Sequence, residues 1–228
     1  MKTVLVEFVG LPGSGKSTIT NYILEGLGEK GYSVTSDNDI YDNGFIIKLL
    51  RISGAFLDPH NFRFNISLMS LLMMTFNIRR MRTWIGRYFK LVKLNGNIRR
   101  LLNQVDYIVL SEGYLQVFSS MFDEKALTSS IANRFIDILH INRWSVIEIK
   151  TTVETASKRI IERKENDDEW YFLDDRKRTE YLLNRETSVC IFEGCLKPII
   201  VDGNVEPKES ASVVIQKLGN IYEPKSNN

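Results

Sequence analysis

Val4-Leu5-Val6-Glu7-Phe8-Val9-Gly10-Leu11-Pro12-Gly13-Ser14-Gly15-Lys16-Ser17-Thr18 decides the fold. Its first half, read with Thr3, is an apolar and β-branched run that predicts a strand over Thr3 to Val9, buried on both faces. Its second half matches G-x-x-x-x-G-K-[ST] from Gly10 to Ser17. Glycines at 10, 13 and 15 let the backbone wrap closely around an anion and aim its N–H groups inward. The helix predicted from Lys16 to about Glu29, with Ile19, Tyr22, Ile23 and Leu27 on one face, adds the positive end of its dipole. In this reading the turn Leu11, Pro12, Gly13, Ser14 and Gly15 encloses the phosphates of a nucleoside triphosphate. Lys16 reaches the β- and γ-phosphates, Ser17 ligates Mg²⁺, and Thr18 donates to the α-phosphate. A chance glycine-rich turn is the plain alternative; the strand before it and the helix after it argue against that.

Outward from this loop, strand and helix patterns alternate, as in a parallel sheet wrapped by helices. Further strands are predicted at Tyr32 to Thr35, Tyr107 to Leu110, Ser145 to Lys150 and Pro198 to Val201. Helices are predicted at Glu124 to Leu139, Val153 to about Lys164, Asp175 to Ser188 and Ala211 to Leu218. Between Phe45 and Val105 the pattern is helical, broken at Gly54, Pro59 and an Asn95-Gly96-Asn97 turn. The expectation is a three-layer α/β fold with a parallel sheet of about five strands, flanking helices and a helical insert. One domain would span 1–222, with the insert at 45–105, and the tail 223–228 reads as frayed.

The 228 residues and net charge of +2 fit a globular enzyme and give no global pull toward nucleic acid. No secretory leader is read, and the apolar stretch Leu68 to Ile78 is too short to span a bilayer as a helix. Cys190 and Cys195 read as two reduced thiols, and His60 and His140 form no ligand cluster with them. The expectation is a cytoplasmic enzyme without a structural metal.

A phosphate loop fixes the nucleotide, not the reaction. The D-x-x-G and N-K-x-D pair of regulatory GTPases and the L-S-G-G-Q of transporter ATPases are absent from the sequence. A small-molecule kinase remains. Two further segments point the same way: Ser111-Glu112-Gly113 at the end of the third strand, and Val153-Glu154-Thr155-Ala156-Ser157-Lys158-Arg159-Ile160-Ile161-Glu162-Arg163.

With these segments the chain resembles the P-loop kinases of the nucleoside monophosphate and thymidylate kinase type, over about Met1 to Thr35 and Asp106 to Ile221. The resemblance implies the P-loop NTPase fold, ATP as donor and a mobile lid at about 164–175. It implies a substrate-facing carboxylate at Asp37, with Asp39 as competitor; either could instead cap the following segment. It places Arg159 on the base and Arg163 near the transferring phosphate. A planar, permanently charged guanidinium suits that second task. A solvated face paired with Glu154, Glu162 or Glu165 is the other reading of both arginines. By the same resemblance the Asp202-Gly203-Asn204 loop packs the adenine, Gly203 allowing close backbone approach. Glu112 has two open roles, binding Mg²⁺ through water or taking the acceptor's proton. Ser111 and Glu112 stand where thymidylate kinases carry aspartate and arginine, which argues against thymidylate as acceptor.

Between His60 and Val105 there is no Asp or Glu, but there are Arg63, Arg79, Arg80, Arg82, Arg87, Lys90, Lys93, Arg99 and Arg100, interleaved with Phe76, Trp84, Tyr88 and Phe89. A one-sided positive segment suits an anionic small-molecule acceptor. Two other readings stay open: a membrane-surface or single-stranded nucleic-acid face, or core and a homodimer seam with solvated arginines. The functional expectation is an ATP- and Mg²⁺-dependent kinase. Its alternative is a slow ATPase switch that docks a partner or membrane through the insert.

Overall fold

The computed structural model describes residues 2–36, 59–74, 81–122, 127–163 and 173–222, with the backbone alone at 59, 60, 82 and 83. Asp37, Asp39, Phe76, Arg79, Arg80, residues 164–172 of the expected lid, and the tail lie outside them.

Five strands form one parallel sheet in the order β2-β3-β1-β4-β5. They are β1 (Val4–Gly10), β2 (Val34–Ser36), β3 (Tyr107–Leu110), β4 (Trp144–Lys150) and β5 (Ile199–Asp202). β1 lies at the centre, in register with β3 from Val4↔Tyr107 to Glu7↔Leu110 and with β4 from Leu5↔Trp144 to Gly10↔Ile149. Because strand side chains alternate between faces, β1 divides its apolar residues between two layers. Val4, Val6 and Phe8 pack with α1 (Lys16–Glu29) and the C-terminal Pro207–Tyr222 helix, through Ile19, Ile23, Leu27, Val214 and Leu218. Leu5 and Val9 face the opposite layer, and so does Glu7 between them.

That opposite layer holds α2 (Pro59–Met74), α3 (Met81–Leu101), α4 (Tyr114–Ser119), α5 (Ser129–Leu139) and Asp175–Leu196, here α7. α6 (Val153–Arg163) precedes it, and Pro207–Tyr222 is α8. The fold expectation holds, and the differences have local causes. α2 is described from Pro59 onward, so the expected break at Gly54 lies outside the described residues. The expected turn at 95–97 lies inside α3. Asn95 is buried there, donating to Asn61 Oδ1 at 2.7 Å and accepting from Tyr114 Oη at 3.1 Å, so its amide serves tertiary contacts rather than a turn. α5 begins five residues later than expected because Thr128 caps it, Oγ1 accepting from Ile131 N. α7 runs past Ser188 to Leu196, ending where Lys197 turns left-handed before Pro198.

Part of the insert's aromatic stripe is core, while Phe89 is exposed. Trp84, Tyr88 and Leu91 are buried in the α2–α5 layer, and Trp84 Nε1 donates to Met121 O at 2.7 Å. These rings are therefore not exposed anchors for a bilayer or for stacked bases. No helix among the described residues is long and apolar enough to cross a membrane. All the sequence-predicted site residues that are described follow β1, β3, β4 or β5 at the carboxyl edge, where open parallel sheets bind ligands.

Candidate functional site

The loop after β1 is made by backbone. Gly10, Gly13 and Gly15 have φ of 147°, 80° and 94°, a region side-chain-bearing residues rarely enter. A Cβ at Gly10 would lie 2.7 Å from Ile149 O, and one at Gly13 would lie 2.5 Å from Ala156 O. The loop is thus wedged between β4 and α6. Leu11 turns inward to a small cluster with Val153, Ala156, Ile160 and Leu182, and the Ser14 side chain is buried. The Lys16 ammonium donates to Gly10 O at 3.0 Å and Leu11 O at 2.8 Å. Burial lowers its pKa to about 8; Glu112 opposes that, while Arg163 and Arg185 add to it.

Facing Lys16 is the turn after β3. Glu112 Oε2 accepts from Lys90 Nζ of α3 at 3.0 Å. Burial alone would raise this carboxyl, but Lys90, Lys16 and Arg87 outweigh it and hold it below the usual carboxylate range. A carboxylate kept ionised is a good cation ligand or hydrogen-bond acceptor and a weak base, since a general base works best with its pKa near the working pH.

The arginines come from three helices. Arg163 reaches the cavity from the last turn of α6. One turn earlier, Arg159 Nη1 donates to Gly203 O at 2.8 Å, tying α6 to the loop after β5. Gly203 is tightly enclosed: a Cβ there would run into Thr151 Oγ1 and lie 2.9 Å from Ser14 O. Arg87 of α3 and Arg185 of α7 complete the basic wall. Arg185 Nε donates to Tyr181 Oη at 2.8 Å, with its guanidinium 5.1 Å from that ring's centroid, and Nη1 lies 3.5 Å from Ser119 Oγ.

A cavity of about 400 Å³ joins these parts. Of the sequence-predicted residues, Pro12, Gly13, Gly15, Lys16, Ser17, Glu112 and Arg163 line it. Leu11, Ser14, Thr18, Arg159 and Gly203 adjoin or underlie the loop without lining the cavity. Asp37 lies outside the described residues. The sequence reading missed Gln116, Ser119, Tyr181 and Arg185, and it had Arg87 only as one charge among nine. Tyr181 and Arg185, four residues apart on a helix, were the one available signal. Among the described residues no group of three or more His, Cys, Asp or Glu is placed to hold a metal, and both cysteines are free.

No family model matches the chain, and no curated protein matches it. Among solved structures the chain is similar to deoxyadenosine kinase from M. mycoides with bound dATP, at 17% identity and TM-score 0.50, covering 95% of this chain and 99% of that one. The same enzyme with bound dCTP gives 17% identity and TM-score 0.47, covering 95% and 100%. The likeness to the dATP complex shows a shared fold.

Proposed function

We propose that the chain transfers the γ-phosphoryl group of ATP to a small, anionic acceptor of the nucleoside, nucleotide or sugar class. One observation carries this reading: a single cavity joins a glycine-built anion cradle to a wall bearing Glu112, Arg87, Arg163 and Arg185. The cradle suits a polyphosphate, because the glycine-built backbone and Lys16 can supply donors to it. The far wall suits the acceptor, because guanidinium groups there match a phosphate or carboxylate.

The oxygen donors present fit Mg²⁺: the Ser17 hydroxyl and the ionised Glu112 carboxylate would hold it, directly or through water. Such an ion supplies neutralisation of charge on the β- and γ-oxygens. Lys16 would meet the β- and γ-phosphates after leaving the loop carbonyls, and Arg163 the charge that spreads over the phosphoryl group in flight. Arg159, fixed on Gly203 O, would flank the base. Asp37 remains the proposed acceptor-facing base. Because Glu112 is held ionised, we assign it to metal and acceptor binding rather than to proton removal. The domain is proposed as 1–222, with 164–175 as its lid.

The fold is shared with enzymes that phosphorylate deoxyadenosine, but fold alone does not set the acceptor. The test is transfer of labelled phosphate from MgATP to a panel in two arms, neutral nucleosides and phosphorylated or carboxylated metabolites. Stoichiometric product in the second arm is expected. Product in neither arm, with only slow phosphate release, would overturn the kinase reading.

A further inference from the structure

β1 contains a single charged residue, Glu7, at the centre of the sheet and with no exposed surface. An unpaired carboxyl in such a place is costly unless its hydrogen bonds are met. Its partner is the start of α4: Leu115 N donates to Glu7 Oε1 at 2.6 Å, across 108 positions of sequence. α4 is six residues long, and its N-cap, Gly113, has no side chain to accept those first amides. Glu7 therefore does for α4 what a local Ser or Asp usually does.

Gly113 shows how closely the two are fitted. A Cβ on it would run into the Glu7 Cδ, Oε1 and Cγ. The carboxyl thus sits directly beneath the residue that follows Glu112. From the other side Tyr114 Oη is held by Asn95 Oδ1 of α3. The second carboxyl oxygen, Oε2, has no hydrogen-bond partner among the described residues, and neither has Nε1 of the neighbouring Trp144. Burial raises the Glu7 pKa to about 8, against the pull of the Leu115 amide, so a neutral amide is a close substitute.

We propose that Glu7 is a positioning residue for Glu112: by accepting the first amides of α4 and filling the space under Gly113, it sets where the turn 111–113 holds the Glu112 carboxylate opposite Lys16 and Lys90. This rests on the phosphoryl-transfer reading only for its kinetic consequence; the geometric consequence stands without it.

The test compares Glu7→Gln, which keeps an acceptor oxygen, with Glu7→Met, which keeps the chain length and removes it. Crystal structures should show the Glu112–Lys90 ion pair intact in Glu7→Gln and parted in Glu7→Met. An intact pair in Glu7→Met overturns the proposal. ADP formation from MgATP in the presence of the acceptor panel is the second readout. Turnover in Glu7→Met should fall about tenfold with KM for MgATP within about threefold, and Glu7→Gln should restore it. In a Glu112→Gln background the Glu7→Met change should cost no further turnover, because residues acting through one another are not additive. Additive losses would mean a merely structural role and overturn the assignment. If Glu7→Met does not fold, Gly113→Ala presses on the same carboxyl from above and should part the same ion pair; an unmoved Glu112 there counts against the proposal. Absence of any phosphorylated acceptor with the wild type would count against phosphoryl transfer and leave the crystallographic comparison to decide Glu7.

Discussion

The two ends of the cavity are made in opposite ways. The phosphate loop is local: eight consecutive residues, shaped by glycine dihedrals and closed by one strand and one helix. The opposing wall is assembled from α3, α4, α6 and α7, whose contributing side chains Arg87, Gln116, Arg163 and Arg185 are far apart in sequence. The first end is a backbone device whose chemistry would suit any polyphosphate. The second is a side-chain device whose spacing would, in the proposed reaction, select what faces the phosphate.

That difference can be broken by substitution. The largest effect is expected at Lys16, which belongs to the loop yet feels the charges of Glu112, Arg163 and Arg185 across the cavity. Lys16→Ala should lower phosphoryl transfer by about 10²–10³-fold, the usual cost of one donor aimed at developing charge. Its melting temperature should stay within a few degrees of wild type. Turnover above a tenth of wild type would place the chemistry elsewhere.

Next comes Arg185→Ala, on the proposed acceptor side. A charge-assisted hydrogen bond contributes about 1.5–3 kcal/mol, so KM for the acceptor should rise roughly ten- to hundredfold. Nucleotide affinity measured by titration calorimetry should not change. An equal loss of both would erase the division between the two ends.

Gly203→Ala should do the reverse with a smaller effect. Its methyl group would crowd Thr151 and Ser14 O under the loop, costing about 1–3 kcal/mol of stability as overpacking does. Denaturant unfolding and nucleotide titration should both report the loss, while acceptor KM stays constant. A weakened acceptor alone would mean that the β5 loop belongs to the far wall.

The smallest effect is a fraction of a proton. With its pKa near 8, Lys16 is about half protonated at pH 8, and a polyphosphate beside it favours the charged form. Nucleotide binding at pH 8 should therefore take up protons, roughly half a proton per site, and this uptake should fade toward pH 6.5, where Lys16 is already charged. Calorimetry in buffers of different ionisation enthalpy reads the sign directly. Proton release at pH 8 would show that Lys16 does not meet the phosphates.

The contrast also explains what the amino-acid string disclosed. The loop, the Tyr107–Leu110 strand and the α/β alternation were legible because each rests on short-range constraints: glycine at positive φ, a buried parallel strand, a dipole behind an anion site. The wall was not. Nothing near Arg185 announces that it faces Ser119, 66 positions earlier. The turn signal at Asn95-Gly96-Asn97 misled because the polarity of Asn95 is answered by Asn61 and Tyr114 inside the core. Glu7 was printed in plain view as the lone charge of an apolar strand, and its partner lay on a helix too short to announce itself.

One contact under the loop has a mechanical consequence. Gly13 touches the backbone of Ala156 so closely that no methyl group would fit between them. Ala156 can thus serve α6 as a pivot, and Arg163 sits seven residues out along the arm, about 10 Å at 1.5 Å per residue. A tilt of about 10° there would carry the far guanidinium through roughly 2 Å, about the difference between a hydrogen bond made and one missed. A bound phosphate that shifts Gly13 by a fraction of an ångström would be felt, amplified, at the tip of that lever.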